Sequence, residues 1–320
     1  MSENHFAGRE DAIKRLHEVM TGQLAAGGNL TIQSIEGPGG IGKSFLFNHA
    51  IATTDLSNRN YITLRVDGSD QSRNLVSTLQ ALIKSADADA LLNKPTGIFF
   101  PQVDVVVKAI ETIRSEVGAE FKELNPGEND CLQSFLWLFD KALAVGKGLS
   151  DLIPFIERNI NIDKLQKYRD KLETSIPMID SLRVEGLNFV EKFGLFSRDR
   201  ALRNSIRENA CRPLADALVS DLSAILKKYR NEDKGKATHK KLKGIDRLLL
   251  IIDDFEMLQE PMGEFLVGHF LPALRTANFE SVVFILGRDQ LEATHPGWGQ
   301  HLNMNLLRRI DLSPLSKPEM

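Results

Sequence analysis

Gly37-Pro38-Gly39-Gly40-Ile41-Gly42-Lys43-Ser44 is the stretch that decides the fold. It meets the pattern G-x-x-x-x-G-K-S/T at every fixed position. Each residue type has a physical reason. Glycines let the backbone curl so that successive N–H groups face one anion. A helix beginning near Lys43 adds the positive end of its dipole. From there Lys43 reaches the outer phosphates of a nucleotide, and the Ser44 hydroxyl can ligate magnesium. Phe45, next along the helix, is counted with the nucleotide-contacting residues. The plain alternative is a glycine-rich turn that binds nothing. Its flanks argue against that: a short apolar, β-branched run, LTIQSI at 30–35, leads straight into the glycines.

Outward from this loop, strand and helix signals alternate. Residues 9–20 carry Ile13, Leu16 and Met20 at helical spacing. YITLRVD at 61–67 predicts a second strand and 71–85 a second helix. LLLIIDD at 248–254 is a continuous apolar run closed by two aspartates, which suits a central parallel strand buried on both faces. A helix is expected over about 261–277, a buried strand over 281–286 and a last strand over 306–312, before Pro314. Strands alternating with helices, with polar residues at the strand C-terminal ends, predict an α/β fold with a parallel sheet.

The acidic strand end supplies what the glycine loop lacks. Phosphoryl transfer needs a carboxylate in the magnesium shell and usually another to orient water. Asp253 is assigned to the metal. Asp254 and Glu256 both qualify for the water, and the sequence does not choose between them; capping of the next helix is the plain alternative for the aspartates. Arg288, just past VVFIL, stands where a cation would feel the outermost phosphate, or is a surface arginine.

The middle of the chain differs. Between about 88 and 245 strand signals are few. Val103, Val106, Val107, Ile110, Ile113 and Val117 keep three- and four-residue spacing, as do Leu214, Leu218, Leu222 and Leu226. The expected organisation is a first core part at 1–90, a mostly helical insertion at 91–245 and a second core part at 246–320. Phe135, Trp137, Phe139 and Phe155 are expected to pack in the helical core. Residues 227–247 are rich in lysine and arginine, read as a solvated loop or, less favoured, a nucleic-acid or partner contact.

Composition excludes other classes. With 42% hydrophobic and 26% charged residues the chain is ordinary globular material, not collagen-like or wholly disordered. Forty basic against 43 acidic side chains leave a net charge of -3, so no global basic excess draws the chain to nucleic acid. Two cysteines, Cys131 and Cys211, cannot build a disulfide scaffold or a four-cysteine zinc site, and a reducing cytoplasmic setting is expected. Cys211 is read as inert, having no histidine nearby in sequence, and the histidines lack zinc-ligand spacing. Residues 1–10, MSENHFAGRE, do not read as a basic-then-apolar signal peptide, and none is expected. The most apolar long stretch, 132–156, is broken by Asp140, Lys141, Lys147 and Asp151, so no membrane span is expected.

Taken together, these motifs resemble the STAND class of P-loop NTPases, switch ATPases of the AAA+-like branch that include the NACHT and NB-ARC kinds. The likeness covers about residues 6–90 and 246–316. Phe6-Ala7-Gly8-Arg9-Glu10 is similar to the family's F-x-G-R-E opening, Gly37–Ser44 to its G-x-G-G-I-G-K-S loop, and Leu250-Ile251-Ile252-Asp253-Asp254 to its apolar run with paired aspartates. Glu256 falls where NACHT-type members carry another acid, Arg288 resembles the sensor arginine, and Leu312-Ser313-Pro314-Leu315 resembles the proline motif.

The resemblance implies Mg-ATP and ADP as ligands, with Phe6, Gly8, Arg9 and Pro314 near the base. It also implies slow turnover, an ATP state that self-associates, and a protein effector or sensor as partner, in signalling or defence. The family's helical lid and winged helix would follow the proline motif. The sequence ends at Met320, so a piece of a longer protein is expected. Three rivals remain: a DNA-associated AAA+ ATPase of the replication-initiator type, a nucleotide-binding oligomerisation module without turnover, and, more distantly, a small-molecule kinase.

Overall fold

In a computed structural model, the described residues are 9–22, 29–54, 61–69, 74–86, 98–124, 136–137, 139–140, 200–231, 247–288, 290–303 and 305–314. They form α1 (Glu10–Met20), β1 (Leu30–Glu36), α2 (Lys43–Thr53), β2 (Tyr61–Asp67), α3 (Leu75–Ser85) and α4 (Pro101–Leu124). There follow α5 (Arg200–Glu208), α6 (Cys211–Asn231), β3 (Arg247–Asp253), α7 (Phe255–Gly263), a π-helical turn (Glu264–Phe270) and α8 (Leu271–Thr276). The last elements are β4 (Glu280–Gly287), α9 (Leu291–Thr294), α10 (Trp298–Asn303) and β5 (Leu307–Asp311).

The fold is α/β. Five strands form one sheet in the order β2-β3-β4-β1-β5, and every pairing is parallel. The three inner strands are almost wholly buried, which explains why RLLLIID and ESVVFILG read as unbroken apolar runs. The edge strands are less apolar: β2 carries Arg65 and Asp67, and β5 carries Arg308 and Arg309, charges that discourage further pairing. One sheet face is covered by α1 and α2. Leu16, Val19 and Met20 pack with Phe47 and Ala50 over Ile35, Leu249, Ile251, Phe284, Leu286 and Ile310. The Phe47 and Phe284 rings lie 4.8 Å apart, tilted by 53°.

One expected boundary moves. The helix read over 261–277 starts earlier, at Phe255, directly behind Asp254. Pro261 looks like a helix start but lies inside α7 instead. Pro272 opens α8 immediately after the π-helical turn.

The chain divides into two compact units, Met1–Val103 with Ala215–Met320, and Asp104–Leu214. In the first, the Asp221 carboxylate accepts the N–H groups of Gln102 and Val103 at 2.9 and 3.1 Å, satisfying donors at the start of α4. In the second, Val106, Val107, Ile110 and Ile113 form a buried stripe, and Arg114 grips Asp140 with two hydrogen bonds of 2.9 and 3.0 Å. Phe139 is buried as expected of the aromatic cluster, but Trp137 is 52% exposed. Phe135 and Phe155 lie outside the described residues, as does 232–246 of the basic stretch. Cys211 is fully buried. No helix among the described residues is long and apolar enough to cross a membrane.

Candidate functional site

Parallel strands bring all their C-terminal ends to one edge of the sheet. The register sets Asp67 beside Asp253, and Glu36 between Gly287 and Asp311. The glycine-rich loop leaves β1 at this edge, the acidic end closes β3, and Arg288 follows β4, which lies between them.

The loop is built as the glycines predict. Gly37, Gly40 and Gly42 have φ of 152°, 76° and 89°, a region that favours glycine. A Cβ on Gly37 would collide with the Leu312 carbonyl, whereas at Gly40 and Gly42 it would meet open space. Gly42 precedes α2 with no side-chain cap, and the first turn holds no acid. The helix N-terminus therefore keeps its donors and positive end for an anion. Lys43 is buried in the curl, its Nζ donating to Gly37 O at 2.8 Å and Pro38 O at 3.1 Å.

Asp253 is the meeting point of the site. Its side chain is 3% exposed, so its charge needs partners. Ser44 Oγ donates to Oδ1 at 2.9 Å, and the Asp254 N–H donates to the same oxygen at 3.1 Å. Arg65 Nη2 lies 3.3 Å from Oδ2. The main chain packs tightly here: Gly68 N–H donates to Asp253 O at 2.9 Å, and a Cβ on Gly68 would strike Asp254 O.

The two remaining acids differ. Asp254 is left-handed, with φ 48° and ψ 50°, and its carbonyl accepts Met257 N–H as α7 begins. Its carboxyl is pushed above the usual range by partial burial first, then by Asp253, Glu256 and Asp67, with Lys43 acting the other way. Glu256 instead accepts the Arg288 N–H at 3.0 Å, and the Arg288 Nε lies 3.9 Å away. The Arg288 guanidinium lies against the loop, its Nη2 3.3 Å from where a Gly39 Cβ would stand.

Gly37, Pro38, Gly39, Gly40, Ile41, Gly42, Lys43, Ser44, Asp253, Asp254, Glu256 and Arg288 thus gather at one strand edge. Arg9 joins β5 instead, donating to Ser313 O at 2.7 Å beside exposed Pro314, while Leu312 N–H returns to Glu36 O at 2.7 Å. Phe45 is 62% exposed on α2. Phe6 and Gly8 lie outside the described residues. Sequence reasoning missed Arg65 and its partner Asn48. The available signal was a charge inside an otherwise apolar strand, two positions before Asp67 and so on the same face.

The donors suit magnesium. Among the described residues no three His, Cys, Asp or Glu side chains group into a metal cage. A cation here would rest on Ser44, Asp253 and oxygens of a bound phosphate, the manner in which magnesium is usually held. The sequence matches no protein-family model, and no curated protein matches it.

Proposed function

We propose that this chain is a P-loop ATPase of the STAND class: it binds Mg-ATP and turns it over slowly as a conformational switch. One observation carries the reading. The Ser44–Asp253 hydrogen bond joins the start of α2 to the end of β3 across β4, pairing the loop hydroxyl and the strand-end carboxylate that the sequence reading assigns to magnesium.

The residues divide the work. Loop N–H groups and the α2 N-terminus cradle phosphate, and Lys43 exchanges its carbonyl partners for phosphate oxygens. Magnesium, when bound, neutralises the charge that builds on the phosphates. Asp254, its carboxyl raised above the usual range by partial burial and then by the acids around it, is suited to take a proton from water. Glu256 holds Arg288 over the loop, ready to respond to an outer phosphate. Arg9, with Ser313 and Pro314, belongs to the base side of the site. Self-association in the ATP state, an effector or sensor partner, and a signalling or defence role belong to the same proposal by resemblance alone.

Titration with fluorescent ATP and ADP, with and without magnesium, tests the reading. Saturable binding is expected, weakened at least about 100-fold by Lys43→Ala, the loss of a charge-assisted contact in a partly buried site. Equal binding by wild type and Lys43→Ala would sink it. Phosphate release that Asp254→Asn abolishes while binding persists separates an ATPase from a binding module.

A further inference from the structure

Asp253 has one partner that the phosphate reading leaves without a task. Arg65 lies on β2, an edge strand, where its own N–H donates sideways to Ser85 Oγ at 2.7 Å. Its guanidinium turns inward. Nη2 lies 3.3 Å from Asp253 Oδ2, and Nη1 donates to Asn48 Oδ1 at 3.1 Å. Asn48 stands one helical turn after Ser44 on α2. Ser44, Asp253, Arg65 and Asn48 therefore close a ring that ties α2 to the ends of β2 and β3. Within it the two carboxylate oxygens are divided: Oδ1 serves Ser44 and the Asp254 N–H, and Oδ2 faces Arg65.

This division matters for a cation. A guanidinium keeps its charge at any working pH. It stands on the carboxylate that would hold the metal, so the two positive charges share one counter-charge and repel each other.

We propose that Arg65 is a positioning residue that sets the metal requirement of the site. By holding Oδ2 it aims Oδ1 at Ser44, and it supplies a standing positive charge. Nucleotide binding then depends less on magnesium than it would beside a bare aspartate. The proposal rests on the nucleotide reading above.

The test is the affinity of the full chain for fluorescent ATP in saturating magnesium and in EDTA, expressed as the ratio of the two. Arg65→Gln is expected to raise that ratio about tenfold, weakening the EDTA arm and strengthening the magnesium arm. Arg65→Lys keeps the charge and is expected to stay near wild type. A purely structural arginine would weaken both arms together, and an unchanged ratio in folded Arg65→Gln overturns the proposal. Should that variant not fold, Asn48→Ala releases only Nη1, and the ratio is expected to rise about twofold; no change there overturns it equally. A wild type that binds nucleotide in neither arm overturns the nucleotide reading and this proposal with it. Wild-type binding with an unmoved ratio overturns this proposal alone.

Discussion

Ser44 Oγ donates to Asp253 Oδ1 at 2.9 Å, although the two residues stand 209 positions apart in the chain. Asp253 is nearly inaccessible to water, so this hydrogen bond is one of three contacts that compensate a buried charge. Ser44→Ala removes it and leaves the Asp254 N–H alone on that oxygen. The expected loss is about 1–2 kcal/mol of unfolding free energy, since bonds to charged groups exceed neutral ones. Urea unfolding without nucleotide measures it, and an unchanged midpoint would mean that water replaces the hydroxyl.

The glycines of the loop are not equivalent. Gly37→Ala meets both a disallowed φ and the Leu312 carbonyl, a backbone atom that cannot swing aside. It should cost about 2–4 kcal/mol. Gly40→Ala meets open space and only the strain of a positive φ, about 1 kcal/mol. Chemical denaturation of the two variants side by side should rank them in that order. A Gly40→Ala loss as large as that of Gly37→Ala would contradict the geometry.

Asp254→Asn should stabilise the protein at neutral pH. Asparagine tolerates the left-handed backbone and removes one of the clustered acids. The sign follows from the raised carboxyl. The folded chain holds this proton more tightly than the unfolded one, so the penalty is absent in acid. It develops as pH rises from the ordinary carboxylate range through the raised folded value. Melting curves should therefore show a gain of about 1–3 °C at pH 7 that vanishes near pH 3. A gain that persists in acid would assign the effect to the backbone.

His301 gives the opposite pH dependence. Burial lowers its pKa, the Val267 carbonyl works against the shift, and Arg275 adds to it. Its ring packs 5.7 Å from that of Trp298. A lowered histidine contributes stability that is fully present above the ordinary imidazole range and is lost as pH falls toward the folded value. Melting temperature should fall more steeply between pH 7 and pH 5 in wild type than in His301→Leu. Parallel curves would show that other groups control the acid limb.

Much of the fold was legible because its signals are local. β-Branched and apolar runs marked β1, β2, β3 and β4, and the last strand was expected over 306–312, where β5 lies. The three-and-four spacing of Val106, Val107, Ile110 and Ile113 marked a buried helical stripe that the structure bears out. Local signals also misled: Pro261 resembles a first-turn proline, yet α7 starts at Phe255 because Asp254 makes the left-handed turn that launches it. Trp137 is apolar enough for a core but remains half exposed. Nothing in its neighbours along the chain distinguishes the two outcomes.

By itself the sequence determined what depends on a residue and its nearest neighbours. Gly37, Gly40 and Gly42 specify a curled loop through backbone sterics, and the polar residues closing apolar runs specify where strands end. Only the tertiary structure decided which ends meet. β4, entering between β1 and β3, sets Arg288 between the loop and the acids. It ties Glu256 to Arg288 while Asp254 stays among like charges, and the pairing of β2 with β3 turns Arg65 from an odd charge in a strand into a side-chain partner of Asp253. Sheet order is a choice among long-range pairings. It is settled by how all the apolar faces bury at once, and no window of neighbouring residues contains that information.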